Sequence, residues 1–211
     1  MKDHEFPSRK AELANAITHG IGVLFSIAVF IVIMCNSKYT LLQKLPLYVF
    51  AFSMLLLYLS STVYHSINSD RNLKLKTIFR LFDHINIYFL IAGSYTPFLL
   101  LCVKGVIGWI SFGILWLVAL FGIFYKIYLW AKYPKWSLFI YIAMGWLIVF
   151  IIKPMYESFS LVGWIWLIGG GLCYTFGTIF YSWQSKTYTH AVWHLFVLAG
   201  SVSHFIAVLY I

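Results

Sequence analysis

Two histidines stand four residues apart near the carboxyl-terminal end of the chain, His190 and His194. Residues at positions i and i+4 of an α-helix lie on the same face, so both imidazoles can reach one metal ion. Imidazole nitrogen is a common zinc ligand, but a hydrolytic zinc site takes a third protein ligand and needs a group that activates water. The rest of the chain has to bring both to the same place.

The composition identifies the chain as an integral membrane protein. Hydrophobic residues make up 62% of its 211 residues and charged residues only 10%, against about 45–50% and about 25% in soluble domains. The formal net charge of +9 comes from short basic clusters between apolar runs, which is typical of loops at an anionic membrane surface. We therefore expect anionic inner-leaflet lipids at the basic loops and no nucleic-acid partner.

Seven apolar runs are long enough to cross about 30 Å of hydrocarbon. The sequence therefore predicts an all-α bundle of seven transmembrane helices in one domain, residues 1–211, with a short amphipathic amino-terminal segment over residues 1–16. Pro97 is expected to kink the third span, and the pair Lys153-Pro154 to end the fifth. The predicted spans lie near Ile17–Cys35, Leu45–Tyr64, Leu81–Leu101, Val106–Ile127, Trp136–Ile152, Leu161–Tyr181 and His190–Ile211.

Lysine and arginine residues are distributed unevenly between the two ends of these spans. Eleven of the fifteen, including Lys76 and Lys126, lie on the side of the amino terminus, and four lie on the other side. Positively charged loops are retained in the cytoplasm. We therefore predict a cytoplasmic amino terminus and, after an odd number of spans, a carboxyl terminus outside the cell.

Polar residues gather at the same cytoplasmic ends of the predicted spans. His65 ends the second span, Asp83 begins the third, and His190 and His194 begin the seventh. Ionisable groups inside membrane spans are costly, so several at one depth favour a functional site. The three histidines supply three neutral nitrogen ligands, the set of a hydrolytic zinc centre whose fourth position is taken by water. The sequence thus predicts Zn²⁺ as the cofactor.

Asp83 and Ser61 are the candidate catalytic residues beside this zinc. Asp83 is the one carboxylate at that depth in the spans, and it is expected to take the proton of the attacking water. Ser61 lies one turn before His65 on the same helix face, in reach of the metal shell or a developing oxyanion. Each has an alternative role: Asp83 as a helix cap or an ion-pair partner of Arg80, and Ser61 as a donor to the carbonyl one turn back.

Other polar residues near the cluster are not assigned to the ligand set. Glu12, Asn15 and His19 are expected to tie the amino-terminal segment to the rim of the site. His84 points about 100° away from the preceding aspartate on a helix, so we place it in an outer or interfacial position. His204 lies about 15 Å beyond the histidine pair along a helix, as a deep polar contact or part of a substrate channel.

These residues also resemble the progestin and adipoQ receptor family in its bacterial hemolysin-III branch. The resemblance spans nearly the whole chain and departs at none of the metal-site positions. It implies a seven-helix protein of the bacterial cell membrane with an intramembrane zinc near the cytoplasmic face. In the adiponectin-receptor branch and the related alkaline ceramidases, such a site is associated with hydrolysis of lipid amides. The matching stretches are Ala11–Gly20 with Glu12, Asn15 and His19, then Ser60–His65, Phe82–His84, Ala92–Phe98 and His190–His194.

Three functions are compatible with this pattern. The first is a zinc-dependent intramembrane hydrolase that acts on a lipid amide or ester and serves membrane-lipid homeostasis. The second is a receptor-like or homeostasis protein whose zinc is structural, a kind of site that has four protein ligands. The third is a pore-forming cytolysin, which would need polar stripes along whole helices, whereas here the polar residues cluster at one end. The identity of the lipid and the oligomeric state are left open.

Overall fold

The computed structural model describes residues 7–103, 105–129, 136–183 and 186–211. Every regular element in these ranges is helical, and seven segments are long and apolar enough to cross a membrane. The prediction of an all-α protein with seven spans is therefore confirmed. The helices are α1 (Arg9–Cys35), α2 (Leu41–Ser66), α3 (Leu73–Pro97), a π-helix (Phe98–Cys102), α4 (Val106–Tyr128), α5 (Trp136–Gly145), α6 (Ile148–Tyr156), α7 (Leu161–Ser182) and α8 (Thr189–Val208).

Three helices form the interior of the bundle. In the 18 most apolar consecutive residues of each span, 56%, 67% and 56% are buried for α2, α3 and α8, whereas 22–28% are buried for the other spans. Helix α2 packs between α1 and α3, α7 packs against α8, and α1 also contacts α8. The interior helices are the ones that carry the predicted site residues, so the candidate site lies within the protein rather than at its lipid-facing surface.

Helix α1 begins eight residues earlier than the predicted first span. Ser8 caps it by accepting a hydrogen bond from the backbone N–H of Ala11 at 3.4 Å. Residues 9–16 are thus the first two turns of the span rather than a separate segment, and residues 1–6 lie outside the described part. The early start places Glu12, Asn15 and His19 on one buried face, because residues three and four apart share a face of a helix.

Helix α3 also begins earlier than predicted, at Leu73, with Asn72 accepting from the N–H of Leu75 at 3.0 Å. Asp83 therefore lies in the third turn of the helix, and its alternative role as a cap at the start of a span is wrong. At the other end, the interruption predicted at Pro97 takes the form of the π-helix. Its last hydrogen bond runs from the N–H of Val103 to the carbonyl of Phe98, five residues back.

The fifth span is a broken helix, and the prediction that it ends at Lys153-Pro154 was wrong. Helix α6 includes Pro154 and continues to Tyr156. A proline removes only one N–H donor, and this short helix ends two residues after it. The interruption lies earlier, between α5 and α6. There Tyr95 of α3 donates its hydroxyl to the carbonyl of Gly145 and accepts from the N–H of Ile148 at 3.0 Å.

Candidate metal centre

The histidine cluster joins two interior helices. His65 comes from the last turn of α2, and His190 and His194 come from the first turns of α8. One nitrogen from each ring lies within 4.8 Å of one from each of the others. All three Nε2 atoms are buried and have no hydrogen-bond partner among the described residues. Three buried nitrogens that converge without partners are positioned to hold a metal ion.

The opposite nitrogens of two of these rings are held by α1. His65 Nδ1 lies 2.6 Å from Glu12 Oε2, so it donates to the carboxylate. His194 Nδ1 lies 3.1 Å from Thr18 Oγ1 and 3.2 Å from the carbonyl oxygen of Asn15, and it donates to them because the Thr18 hydroxyl is itself directed to backbone carbonyls. With hydrogen on Nδ1, each ring keeps the lone pair of Nε2 for a metal.

A buried lysine completes this outer arrangement. Lys76 of α3 is 1% exposed, and its ammonium donates to Glu12 Oε1 at 3.0 Å and to the carbonyls of Ile67 and Tyr64 at 2.9 and 3.4 Å. The carboxylate of Glu12 is therefore shared between an imidazole of α2 and a cation of α3. The sequence predicts both Lys76 and Lys126 among the basic residues on the cytoplasmic side, but Lys126, like Lys76, is buried, at 3% exposed. Neither side chain is available to a lipid headgroup.

Asp83 and Ser61 both face this interior. They are 3% and 0% exposed, and Asp83 Oδ1 and Ser61 Oγ have no hydrogen-bond partner of ordinary geometry among the described residues. The Asp83 carboxyl lies near the imidazole of His65 and the hydroxyl of Ser61. The bond to the carbonyl one turn back, considered for Ser61, is made instead by Ser60, which donates to Leu57 at 3.0 Å. The catalytic roles of Asp83 and Ser61 remain predictions.

Two further histidines lie close to the cluster but outside the ligand group. The ring of His19 stacks on that of His194, with centroids 3.4 Å apart and planes 14° apart, and neither of its nitrogens has a partner among the described residues. It therefore packs in the interior of the site rather than at its rim. His84 donates from Nδ1 to the carbonyl of Arg80 at 2.7 Å, which agrees with a place outside the ligand set.

An apolar cavity begins beside the cluster. Its volume is about 190 Å³, larger than the ~150 Å³ engineered cavities that stay dry and bind benzene. Tyr181 and Trp193 line its near end, and their rings lie 6.5 and 5.0 Å from that of His190. From Trp193 the cavity follows α8 to His204, about 16 Å further along the helix. His204 donates from Nε2 to the carbonyl of Leu167 at 3.2 Å, which confirms the predicted deep polar contact.

One side of the cavity faces the membrane. Trp146, at the break of the fifth span, and Ile168 and Leu172 of α7 line the cavity, yet they are 47%, 55% and 41% exposed. Helices α5 and α7 meet along only a narrow contact there. A side chain that lines a cavity and also faces lipid marks a thin wall, so this gap is the shortest path between the cavity and the hydrocarbon.

Seven membrane-crossing helices, a buried histidine cluster open to a metal ion and an adjacent apolar cavity define the class: an intramembrane protein with a metal-binding geometry. A family model described as haemolysin-III related matches residues 8–205, and the chain belongs to that family, which confirms the resemblance seen in the sequence. Like the rest of this family, it is a multi-pass cell membrane protein.

Individual relatives cover most of the chain. It is 46% identical over 203 residues to hemolysin-3 of Bacillus cereus, a match to 95% of this chain and 91% of that protein. It is 47% identical over 203 residues to the hemolysin-3 homolog of Bacillus subtilis (strain 168), with 95% and 94% covered. Human monocyte to macrophage differentiation factor is 30% identical over 170 residues, with 79% and 70% covered.

Proposed function

We propose that this protein is a zinc-dependent intramembrane hydrolase that cleaves a lipid amide or ester and serves membrane-lipid homeostasis. The observation that carries the proposal is that one ring nitrogen from each of His65, His190 and His194 converges with the others, while their Nε2 atoms have no partner among the described residues. A buried carboxylate and an apolar cavity lie nearby. Structural zinc sites have four protein ligands. Among the described residues, Asp83 does not belong to the group of potential ligands, and this favours a fourth position open to water.

Zinc suits this set of ligands, since neutral imidazole is one of its common ligands and three protein ligands are usual in its hydrolytic sites. When bound, zinc would polarise a substrate carbonyl and lower the pKa of a water molecule toward neutrality. Glu12, Thr18 and the backbone of Asn15 would contribute by holding the Nδ1 hydrogens, so that the rings of His65 and His194 present Nε2 without rotating.

The remaining chemistry is assigned to Asp83 and Ser61. As the water oxygen bonds to the carbonyl carbon, Asp83 accepts the proton that the water loses. It then passes that proton to the leaving nitrogen or oxygen as the C–N or C–O bond breaks. Ser61, whose hydroxyl lies beside the Asp83 carboxyl, donates that hydroxyl to the carbonyl oxygen while negative charge develops there. The products are a fatty acid and an amine or alcohol.

The cavity is the proposed site for the apolar part of the lipid. A chain lying along α8 would place its headgroup end near Trp193 and the histidine cluster. The thin wall between α5 and α7 offers a lateral route from the bilayer near its midplane, since Trp146 lies halfway along the fifth span. Anionic lipids at the exposed basic loops would enrich the leaflet around this route.

The test combines metal analysis with turnover in purified protein reconstituted in lipid nanodiscs. We expect one zinc per chain in the wild type and its loss in His65→Ala, His190→Ala and His194→Ala. Asp83→Asn should keep the metal and lose release of fatty acid from a panel of lipid amides and esters. Asp70→Asn, a carboxylate in an exposed loop, is the matched control and should behave as the wild type.

Other results would point elsewhere. A purified wild-type protein without stoichiometric metal would remove the basis of the proposal. Wild-type function in Asp83→Asn, or a metal shell that includes the Asp83 carboxylate and no water, would favour the structural-zinc alternative. Conductance across liposomes that contain only this protein would instead support the cytolysin. In a deletion strain, lipidomics should show accumulation of one lipid amide or ester class, and His190→Ala should not reverse it.

A further inference from the structure

The far end of the cavity contains a buried hydrogen-bond acceptor that receives no hydrogen bond from the described part of the chain. His204 is 7% exposed and lines the cavity. Its Nε2 faces the carbonyl oxygen of Leu167 at 3.2 Å, and because a carbonyl can only accept, Nε2 carries the hydrogen. A neutral imidazole has one donor and one acceptor, so Nδ1 is left as an acceptor. It has no partner among the described residues.

Two glycines allow α7 and α8 to pack closely against the aromatic rings at this end of the cavity. A Cβ at Gly170 would collide with the imidazole of His204, and one at Gly200 would lie 2.8 Å from the ring of Tyr174. The two rings meet edge to face with centroids 5.2 Å apart. A histidine in the interior of a membrane protein, seated between close helices and short of one hydrogen bond, is a candidate binding group rather than a packing element.

Tyr174 provides a second polar atom in the lining of the same cavity. Its hydroxyl lies 2.9 Å from Ser201 Oγ, which accepts from the hydroxyl of Tyr58 at 2.7 Å. When Ser201 in turn donates to Tyr174, the O–H of Tyr174 is free to donate to a ligand. The threonine hydroxyls along the cavity are already used, because Thr175 and Thr178 donate to backbone carbonyls of their own helix at 2.8 and 2.7 Å.

We propose that this end of the cavity binds a hydroxyl group carried on the apolar part of a lipid. A hydroxyl can donate to His204 Nδ1 and accept from Tyr174, whereas a ketone cannot satisfy Nδ1 and a methylene can do neither. His204 lies ten residues beyond His194, or about 15 Å along α8, so the hydroxyl belongs to a part of the chain remote from the reacting headgroup. The inference rests on the proposed function for the use of the cavity by a lipid.

The test is a binding comparison with purified protein in nanodiscs, measured by displacement of a fluorescent fatty acid. The probes are stearate, a set of hydroxystearates that differ only in the position of the hydroxyl, and the matching ketostearates. One hydroxystearate should bind about tenfold more tightly than stearate, and its ketone, which can accept from Tyr174 but cannot donate to His204 Nδ1, should show a smaller gain. His204→Phe should abolish the gain while stearate still binds, and Tyr174→Phe should reduce it. Tyr210→Phe, at an exposed position, is the control.

Each alternative outcome is distinct. If no hydroxystearate binds more tightly than stearate, or if the preference survives in His204→Phe, the assignment is wrong. Should His204→Phe fail to bind stearate or to keep its thermal transition, Tyr174→Phe and the dependence on hydroxyl position in the wild type decide. Stearate that fails to compete at all would overturn the cavity as a lipid site, and with it this part of the proposed function. Stearate binding without any hydroxyl preference overturns only the present inference.

Discussion

Replacing Glu12 with glutamine tests whether α1, which supplies none of the three histidines, controls the affinity of the cluster for metal. One carboxylate oxygen of Glu12 accepts from His65 Nδ1 at 2.6 Å, and the other accepts from Lys76 Nζ at 3.0 Å. Glutamine has one oxygen, and its amide nitrogen is a donor. The glutamine oxygen can accept from His65 or from Lys76, but the amide nitrogen cannot accept from the other. That nitrogen will therefore face either the N–H of His65 or the ammonium of Lys76.

Two free energies should change. Loss of a partner that orients a metal ligand lowers metal affinity by typically 10–100-fold, which corresponds to about 1.4–2.8 kcal/mol. Breaking a buried ion pair by removing one partner costs roughly 3–5 kcal/mol of stability, and solvent screening offers little relief because these side chains are at most 10% exposed. We expect Glu12→Gln to weaken zinc binding about tenfold and to lower the free energy of unfolding of the metal-free protein by about 3 kcal/mol.

The double variant Glu12→Gln with Lys76→Met separates the two effects. Without the ammonium of Lys76, the glutamine oxygen can turn to His65, so most of the lost stability should return. Zinc affinity should stay below that of the wild type, because a neutral amide oxygen is a weaker acceptor than a carboxylate. Competition with a colorimetric chelator measures the affinity, and tryptophan fluorescence during heating measures the stability. His65→Ala provides the reference for complete loss of the site.

Wild-type zinc affinity in Glu12→Gln would refute this reasoning. It would mean that Glu12 only ties α1 to α2 and α3, and that the orientation of His65 is fixed by packing against its neighbours. The ring of Tyr64, whose centroid lies 4.4 Å from that of His65, would then be the first residue to examine. A recovery of zinc affinity together with stability in the double variant would lead to the same conclusion.

Three smaller changes should give graded results. Thr18→Val should lower zinc affinity by less than about threefold, because a backbone carbonyl of α1 still accepts from the same imidazole; a tenfold loss in the chelator titration would contradict this. Gly22→Ala should destabilise the protein by about 1–3 kcal/mol in thermal unfolding, since its Cβ would meet a buried tyrosine ring, whereas Gly113→Ala, with open space around it, should be neutral or stabilising. Tyr95→Phe should cost roughly 1–3 kcal/mol by leaving the break in the fifth span without its bridging hydroxyl. Equal unfolding temperatures for Tyr95→Phe and the exposed control Tyr128→Phe would argue against that bridge.

The span count and the three histidines were predictable because both depend on local rules. The thickness of the bilayer sets the length of an apolar run, and the helical period places His190 above His194. His65 was found less directly, since its distance from the pair in the sequence carries no information. Counting charged loops placed the end of the second span on the same side of the membrane as the start of the last, so His65 was predicted at the same depth as the pair.

The charged residues that orient the histidines were harder to predict, because each is tolerated inside the membrane only when it is paired with the other. The sequence places Glu12 in an amino-terminal segment and Lys76 in a basic loop, since a lone charge in a span is costly. They pair between α1 and α3, and both of these helices begin before the predicted boundaries. A local signal did exist: Glu12, Asn15 and His19 repeat at the spacing of one helix face, which favours a helix that begins before the apolar run.

The break in the fifth span has a similar cause. In the fifth span, Pro154 was the residue from which the sequence predicted the end of the helix, but Pro154 lies inside α6. The break instead depends on the hydroxyl of Tyr95, which satisfies a carbonyl and an N–H that a continuous helix would have paired. Since that hydroxyl belongs to another helix, no window of sequence around Gly145 could reveal it.

The relation between the histidine cluster and the cavity follows from the geometry of α8. His190 and His194 lie on one face, while Trp193 lies about 100° around the helix axis from His194 and lines the cavity. The same helix thus offers ligands on one face and a hydrophobic wall on the next. The rings of Trp193 and Tyr181 have centroids 4.8 Å apart, and both line the cavity near His190. If the cavity holds a lipid as proposed, these two rings are the side chains that its carbonyl end would contact on the way to the histidines.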